Sequence, residues 1–307
     1  MCGVCGVLYK TKNGGKAAPV GAALTEMLAT MAHRGEDSTG ITIANHSENT
    51  DLIVRLWAED VHRAKEHIGD AASVHNIAAV IDRVNGNYIR VLVKVNSDRD
   101  IAEQVKMLSA FFNQVEGVTL HSIGNVSEVL KDTGTAEDLD LRHDIRAMSG
   151  SHGIGHVRLA TESRVDITHS HPFWAYPFAD VTVVHNGQLT NYHKLRRKYE
   201  ADGHKFLTGN DSELIAVYLA DKLSGGLSLH DSLGGALSDL DGTFTFLVAT
   251  SDSIGYAKDR WAAKPLVIRE DKDVVAIASE EVALDTLGLG ESKQIEPQEN
   301  EVMTWSI

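Results

Sequence analysis

Residues 153–161 read Gly-Ile-Gly-His-Val-Arg-Leu-Ala-Thr, a short run of glycines and apolar residues that leads to one cation, Arg158. The pattern predicts a strand, and Val-Thr-Val-Val-His-Asn-Gly at residues 181–187 predicts a second one. Arg158 therefore lies at the end of an apolar strand, where its planar guanidinium can bind a carboxylate through two parallel hydrogen bonds. An arginine in a structural ion pair is the alternative explanation.

The rest of the chain alternates strand and helix patterns. Residues 2–9 predict an opening strand, and apolar residues at helical spacing over 20–31 predict a helix that ends near Gly35, where a left-handed glycine cap is expected. A change of pattern at about 50–149 predicts a small α+β unit inserted into the main domain. After the second strand, helices are predicted at residues 191–201 and 211–222. The last strand patterns are joined by short turns, which suits antiparallel pairing.

The composition is that of a globular chain with an excess of acidic residues. The 307 residues are 43% hydrophobic, enough for one large domain or two small ones. The net charge of -14 argues against a nucleic-acid partner, because binding to a phosphate backbone needs clustered cations. No apolar run approaches the roughly 18–20 residues of a membrane helix, and no leader pattern opens the chain. The two cysteines, both within the first five residues, cannot close a long loop, so a reducing cytoplasmic location is expected.

The opening Met1-Cys2-Gly3 places a cysteine where removal of the methionine would expose an α-amine. Cys2 would then carry both nucleophile and base, because the reference pKa of an α-amine, about 8, is close to the value of about 8.5 for a thiol. A small buried side chain in the first strand is the alternative. Cys2 and Cys5 also form a C-x-x-C pair, but it does not open a helix and lacks the second pair that zinc would need. An offset of three along a strand predicts that Cys5 packs in the core.

Four further motifs, with Cys2-Gly3 at the start, resemble in order those of the class II glutamine amidotransferases. They are His33-Arg34-Gly35-Glu36-Asp37-Ser38, residues 155–161, His185-Asn186-Gly187 and Asp211-Ser212-Glu213. The resemblance covers about residues 2–45 and 150–270. It implies an α+β fold, the four-layer αββα N-terminal-nucleophile hydrolase sandwich of two antiparallel sheets. One amidotransferase domain is then expected over residues 2–307, interrupted by the insertion at about 50–149.

The resemblance also implies the reaction and the substrate contacts. L-glutamine would be hydrolysed to glutamate and ammonia through a thioester on Cys2, with Arg158 binding the α-carboxylate and Asp211 the α-ammonium group. Asn186 and Gly187 correspond to the family's donors to the oxyanion. Each residue has an ordinary structural alternative as well: Asp211 fits a helix N-cap or first-turn acid, and an Asn-Gly pair fits a tight turn.

Other positions match the family less distinctively. Three residues are expected to order the loop beside the nucleophile, although a helix end and a turn would explain them too: Arg34, Asp37 and Ser38. Thr161 is expected to hydrogen-bond the substrate or its carboxylate contact. His171, in a His-Pro-Phe segment similar to the family's, is expected near the pocket, with a structural histidine as the alternative. Glu162 departs from the family pattern, in which Ser, His or Asn commonly follows the Arg-Leu-Ala-Thr run.

The chain length and the segment at 259–265 look most like the separate amidotransferase subunits of glutamate synthase-type and N-methylglutamate synthase-type enzymes. This likeness implies a hetero-oligomer in which a separate synthase subunit, carrying flavin and iron–sulfur groups, accepts the ammonia. The chain itself is expected to need no cofactor or metal, because too few cysteines remain for a cluster. Two alternatives stay open. A stand-alone N-terminal-nucleophile amidase would keep Cys2 without the glutamine contacts, and a catalytically silent glutamine-sensing subunit would tolerate its loss.

Overall fold

The computed structural model describes residues 2–10, 18–46, 51–74, 76–96, 100–160, 165–290 and 292–307. Within these ranges the strands are β1 (Gly3–Tyr9), β2 (Ser38–Ala44), β3 (Leu52–Ala58), β4 (Ala79–Asn85), β5 (Tyr88–Val93), β6 (Val118–Gly124), β7 (Ser127–Thr133), β8 (His152–Arg158), β9 (Phe173–Trp174), β10 (Thr182–Leu189), β11 (Gly242–Ala249), β12 (Ser253–Lys258), β13 (Val267–Glu270), β14 (Val274–Ala278), β15 (Lys293–Ile295) and β16 (Glu301–Ser306). The α-helices are α1 (Val20–Thr30), α2 (Val61–Val74), α3 (Ile101–Phe112), α4 (Ala136–His143), α5 (Tyr192–Ala201), α6 (Asp211–Ser224), α7 (Leu229–Asp239) and α8 (Glu281–Asp285). None of these helices combines the length and apolar character that a membrane span requires.

Two antiparallel sheets pack face to face at the centre of the fold. The seven-stranded sheet has the order β15-β13-β14-β1-β8-β2-β7, and the five-stranded sheet has the order β16-β12-β11-β10-β9. Side chains alternate along β1, so that Val4 and Leu8 pack between the sheets with Val184 and Leu247 of the five-stranded sheet. Apolar residues on both faces of β1 thus place this strand in the interior of the sandwich.

Helices cover the outer faces of both central sheets. Leu24 and Leu28 of α1 pack against Cys5 on the outer face of the seven-stranded sheet. Residues of α6 and α7 cover the five-stranded sheet, where Leu214 and Phe246 share one apolar cluster. The predicted αββα arrangement is therefore confirmed. Cys5 is fully buried, as predicted, and burial raises the pKa of its thiol well above the usual range.

A third sheet, with the order β4-β5-β3-β6, is not hydrogen-bonded into either central sheet. Together with α2 and α3 it encloses an apolar cluster, to which Trp174 of β9 and Tyr176 also contribute. This sheet spans residues 52–124, whereas the sequence pattern predicted a unit at about 50–149. The difference arises because β7 pairs with β2, with Ser127 opposite Ala44, so that the chain has already returned to the seven-stranded sheet.

The end of α1 differs from the prediction. The helix ends at Thr30, a 3₁₀ turn follows at Ala32–Arg34, and Gly35 has a φ of 174°, which is extended rather than left-handed. Glycine is required there for another reason, since a Cβ would lie 2.3 Å from the carbonyl carbon of Arg158. This close approach packs the turn that carries Arg34 against the end of β8.

Candidate active site

Cys2 lies where the ends of the two central sheets meet. It directly precedes β1, which is paired with β8, so Cys2 is adjacent to Arg158 at the end of β8. Asn186 and Gly187 come from β10 in the five-stranded sheet, and Asp211 is the first residue of α6. The fold therefore gathers these predicted site residues around one thiol.

Hydrogen bonds hold both the side chain and the main chain of Cys2. Its Sγ accepts from the backbone N–H of Leu159 at 3.4 Å and lies 3.6 Å from the Leu159 carbonyl oxygen. The carbonyl oxygen of Cys2 accepts from Nε of Arg34 at 2.9 Å and from Nδ2 of Asn186 at 3.1 Å. Because the side chain is only half-buried, the thiol is held in position and still reachable from a cavity.

Arg34 is itself anchored by a residue that the sequence did not single out. Its buried guanidinium forms an ion pair with Glu280. The neighbouring Ser279 accepts at Oγ from the N–H of Val4 at 3.0 Å and from Nδ2 of Asn186 at 3.3 Å. Both residues directly follow β14, so their only sequence signal is a polar pair at the end of an apolar strand.

Asp37 and Ser38 hold the backbone that leaves β8. Oδ2 of Asp37 accepts from the N–H of Ala160 at 2.7 Å, and the N–H of Asp37 donates to the carbonyl oxygen of Arg158 at 3.1 Å. Ser38 is paired with Arg158 across β2 and β8, and its buried hydroxyl has no hydrogen-bond partner in the described ranges. These contacts fix the segment that includes Leu159, the residue that touches the thiol.

Asn186 and Gly187 lie inside β10, so the alternative of a tight Asn-Gly turn is wrong. Gly187 has a φ of 135°, and a Cβ there would lie 2.0 Å from the carbonyl oxygen of Thr243. Both constraints require glycine. The two contacts of Asn186 Nδ2 described above use both of its hydrogens, while its buried Oδ1 has no partner among the residues that the structure describes.

Asp211 is a first-turn acid, and the N-cap of α6 is Asn210. Oδ2 of Asp211 accepts from the N–H of Leu189 at 3.0 Å, and Oδ1 lies 3.6 Å from Nδ1 of His185. Burial favours the neutral acid, but the His185 imidazole and the hydrogen bonds hold the pKa of Asp211 below its usual value. Asp211 is therefore a carboxylate at neutral pH.

Three buried histidines and Ser212 form a network behind Asp211. The Ser212 hydroxyl lies 2.9 Å from Nε2 of His171 and 3.0 Å from Nδ1 of His185. His156 stacks on His171 with ring centroids 4.0 Å apart. Burial lowers the pKa of His156 to about 3 and that of His171 well below its usual range, so both rings are neutral. Since a hydroxyl has one proton, Ser212 can donate to only one neighbour at a time, and its Oγ also lies 3.4 Å from Oδ1 of Asp211.

Two cavities meet at Cys2. One, of about 450 Å³, is lined by Cys2, Arg158 and Asp211 and therefore presents a cation and an anion beside the thiol. The other, of about 290 Å³, is lined by Cys2, Arg34 and Lys264. Within the described residues, only the first of these two carries a carboxylate on its wall. Its size and its opposite charges suit a small zwitterion.

Three residues that the sequence singled out remain to be placed: His171, Thr161 and Glu162. His171 lines the larger of the two cavities. Thr161 and the divergent Glu162 lie outside the described residues. In the part of the chain that is described, no group of three or more His, Cys, Asp or Glu side chains could hold a metal ion.

Comparison with known proteins agrees with this geometry. The family model "Glutamine amidotransferase domain" matches residues 156–286. A Methanothermobacter thermautotrophicus protein named "Putative glutamine amidotransferase" is 36% identical over 302 residues, which cover 97% of this chain and 98% of that protein. The glutamine amidotransferase-like protein GlxB of Rhizobium meliloti is 36% identical over 308 residues, covering 99% and 98%. The glutamine phosphoribosylpyrophosphate amidotransferase of B. subtilis has the same fold, with a TM-score of 0.61 at 20% identity over 99% of this chain and 47% of that one.

The fold and these relatives define an enzyme of the class II glutamine amidotransferase type. The chain belongs to the glutamine amidotransferase family, since two relatives of nearly equal length match it from end to end. The predicted family and enzyme class are confirmed. The finer likeness to the amidotransferase subunits of glutamate synthase-type enzymes stays a prediction.

Proposed function

We propose that this chain hydrolyses L-glutamine to glutamate and ammonia at Cys2. The observation that carries the proposal is that the thiol shares one cavity with the buried guanidinium of Arg158 and the carboxylate of Asp211. Glutamine brings the complementary pair, an α-carboxylate for Arg158 and an α-ammonium group for Asp211, and its side-chain amide then extends toward Cys2. An amidase for other amides would have no need of both charges.

In the proposed reaction Cys2 supplies both nucleophile and base. Once Met1 is removed, the free α-amine takes the thiol proton as Sγ attacks the amide carbon. The C–S bond forms, the C–N bond breaks, and the proton leaves with ammonia. Water then hydrolyses the γ-glutamyl thioester to glutamate and restores the thiol. The hydrogen bond from the N–H of Leu159 to Sγ supports attack, because it holds the sulfur in one position beside the cavity.

Asn186 and Gly187 are the proposed donors to the oxyanion. The negative charge that develops on the amide oxygen needs N–H groups already in place beside the nucleophile. Nδ2 of Asn186 lies beside the nucleophile, 3.1 Å from the Cys2 carbonyl oxygen. To serve the oxyanion, one N–H of this amide must turn away from its present acceptor, while Arg34 continues to hold the Cys2 carbonyl.

The remaining predicted roles are proposed as supporting ones. Arg34, Asp37 and Ser38 order the segments on either side of Cys2, through the contacts described above. We assign His171 to the substrate cavity as a positioning residue, since its contact with Ser212 lies next to Asp211 in the chain. Thr161 is proposed to hydrogen-bond glutamine or its carboxylate contact, as the resemblance implies.

The first prediction concerns the nucleophile. A glutamine-mimicking diazo-ketone is expected to add once, at Cys2, and the labelled N-terminal peptide should lack Met1, because a retained methionine would acylate the α-amine that acts as base. Cys5 is expected to stay unlabelled, since it is fully buried with a raised pKa. Peptide mass spectrometry measures both features. Active enzyme that retains Met1, or an adduct at Cys5, would contradict the mechanism.

We further propose that the ammonia is used by a separate synthase subunit of the glutamate synthase-like type, in a cytoplasmic hetero-oligomer. The second cavity at Cys2, lined by Arg34 and Lys264, supports an exit for ammonia that is separate from the larger cavity with Arg158 and Asp211.

We also propose that residues 52–124 are an insertion in the amidotransferase domain. The pairing of Ala44 with Ser127 supports this, because the chain leaves and re-enters the central sheet at neighbouring positions.

The isolated chain is expected to be a slow glutaminase that the synthase subunit activates, because assembly would order the loops around Cys2 and prevent wasteful hydrolysis. Glutamine hydrolysis is measured for the chain alone and after co-expression with a synthase encoded beside it. Full activity that no partner alters would favour the stand-alone amidase. No hydrolysis under either condition, with glutamine still bound, would favour the silent glutamine-sensing subunit.

A further inference from the structure

A cavity of about 240 Å³ lies between the third sheet and the central sandwich, and it shares no lining residue with the larger cavity at Cys2. The residues before and in β6 form one side, including Asn113, Thr119 and His121. The opposite side belongs to the sandwich and includes Lys131, Trp174 and Glu213. None of the residues that line this cavity was assigned a role in glutamine hydrolysis.

Lys131 presents a buried cation to this cavity. The residue is only 5% exposed, and its Nζ donates to the carbonyl oxygens of Ser170 at 2.8 Å and Pro172 at 3.3 Å. No carboxylate of the described residues lies within ion-pair distance of it. Burial lowers the pKa of Lys131 to about 8, against the opposing effect of Glu213 and Asp166, so the ammonium group remains mostly protonated at neutral pH. An ammonium has three N–H donors, and two of them serve these carbonyl oxygens. Nζ also lies 5.0 Å from the centre of the Phe173 ring, which lines the same cavity, so a ligand carboxylate would take the third donor beside that ring.

Glu213 presents a buried carboxyl group to the same cavity. It is 2% exposed and accepts from the N–H groups of Leu207 at 2.6 Å and Thr208 at 2.7 Å, and from Thr208 Oγ1 at 2.6 Å. A carboxylate has about four acceptor positions, so these three bonds leave room for one more donor. In the described ranges no basic side chain forms an ion pair with Glu213, and burial raises its pKa.

His121 adds a polar atom with no partner. It is 6% exposed, and its Nε2 has no hydrogen-bond partner among the described residues. Burial and the charge of Lys131 lower the pKa of His121, so the ring is neutral. A buried ring nitrogen without a partner is unusual in native proteins, and a ligand that contacts Nε2 would satisfy it. The aromatic ring of Trp174 supplies an apolar wall beside it.

We propose that this cavity binds a small zwitterion of the α-amino acid class, distinct from the glutamine that Cys2 attacks. Its carboxylate pairs with Lys131, its ammonium group pairs with Glu213, and its side chain packs on Trp174. A ligand of one charge would leave the other protein charge buried and unpaired, whereas a zwitterion compensates both. Glu213 is in the first turn of α6 together with Asp211, so an occupant of this cavity contacts the helix end that carries part of the glutamine site.

Isothermal titration calorimetry on the full chain with Cys2→Ala tests the proposal without turnover. Glycine, L-alanine and L-phenylalanine are the probes, with acetate and methylamine as ligands of one charge only. We expect at least one amino acid to bind in this cavity with a stoichiometry of one, and this is the binding that remains when Arg158→Met is added to remove any binding in the Cys2 cavity. Adding Lys131→Met should weaken that binding at least about tenfold, because a charge-assisted contact is lost. Arg158→Met should leave it unchanged, as should Lys106→Met, which alters an exposed lysine of α3.

His121→Phe keeps an aromatic ring of similar size and removes both ring nitrogens, including the unpartnered Nε2, so it tests the site even where Lys131→Met fails to fold. Weaker binding in this variant supports the assignment. Three outcomes would overturn the proposal: no amino acid binds, acetate binds as tightly as glycine, or binding is lost with Arg158→Met and retained with Lys131→Met. The last outcome would place the ligand in the Cys2 cavity and would leave the glutaminase proposal intact.

Discussion

Replacing Asn186 with alanine is expected to lower glutamine turnover by roughly a hundredfold to a thousandfold, the usual effect of losing one oxyanion donor. The amide is 5% exposed and lies beside Cys2 rather than along the charged cavity wall, so it can act on the transition state without contacting the ends of the substrate. Steady-state kinetics should therefore show a large fall in kcat and a small change in KM.

The same side chain also donates to Ser279, and a control must separate this structural contact from the effect on the oxyanion. Ser279→Ala removes the other acceptor of the Asn186 amide and leaves its contact with Cys2 in place. We expect this variant to lose less than about tenfold in kcat, the effect of one neutral hydrogen bond. If Ser279→Ala were as inactive as Asn186→Ala, the role of Asn186 would be to hold the loop instead of the oxyanion.

The residues that sequence reasoning brought together share a simple property. Cys2 and Arg158 each lie at one end of an apolar run, and a reactive or charged residue at such an end is placed where the strands of a sheet end. Asp211 marks the start of a helix in the same way. The chemistry of these residue types could therefore be read locally, and the family resemblance supplied the expectation that they meet.

Ser279 and Glu280 were missed because their role depends on strand order. They reach Cys2 only because β14 is the neighbour of β1, which in turn pairs with β8. No local pattern states which strands are neighbours, and a Ser-Glu pair before a short helix is unremarkable in a sequence. The anchor of Arg34 is thus a tertiary property.

The predicted insertion at about 50–149 is wider than the third sheet for a related reason. Residues 127–133 carry an ordinary strand pattern, and a strand looks the same in sequence whether it joins the third sheet or the seven-stranded one. The pattern also failed to predict α2, whose core contacts come largely from Ala64, Ile68 and Ala72. Alanines give a weak apolar stripe, so a mostly polar helix of this kind is easily taken for a loop.

Replacing Arg158 with methionine is expected to reduce kcat/KM for glutamine by roughly 30-fold to 3,000-fold. Leaving one member of a buried charge pair without its partner costs about 2–5 kcal/mol, and each 1.4 kcal/mol is about tenfold. Most of the loss should appear in KM, since the α-carboxylate is remote from the reacting amide. Arg158→Lys should recover part of the loss, because an ammonium restores the charge but not the two parallel hydrogen bonds.

A substrate without the α-carboxylate, 4-aminobutanamide, isolates the contact. The wild-type enzyme should have a higher kcat/KM for glutamine than for this amide, by about the same factor that Arg158→Met loses. The variant should hydrolyse the two substrates with similar kcat/KM, because it lacks the guanidinium that distinguishes them by the α-carboxylate. Arg260→Met, at an exposed position, should leave the preference unchanged. A variant that folds normally and still prefers glutamine by the wild-type factor would show that Arg158 serves the structure of β8 and that another group binds the carboxylate.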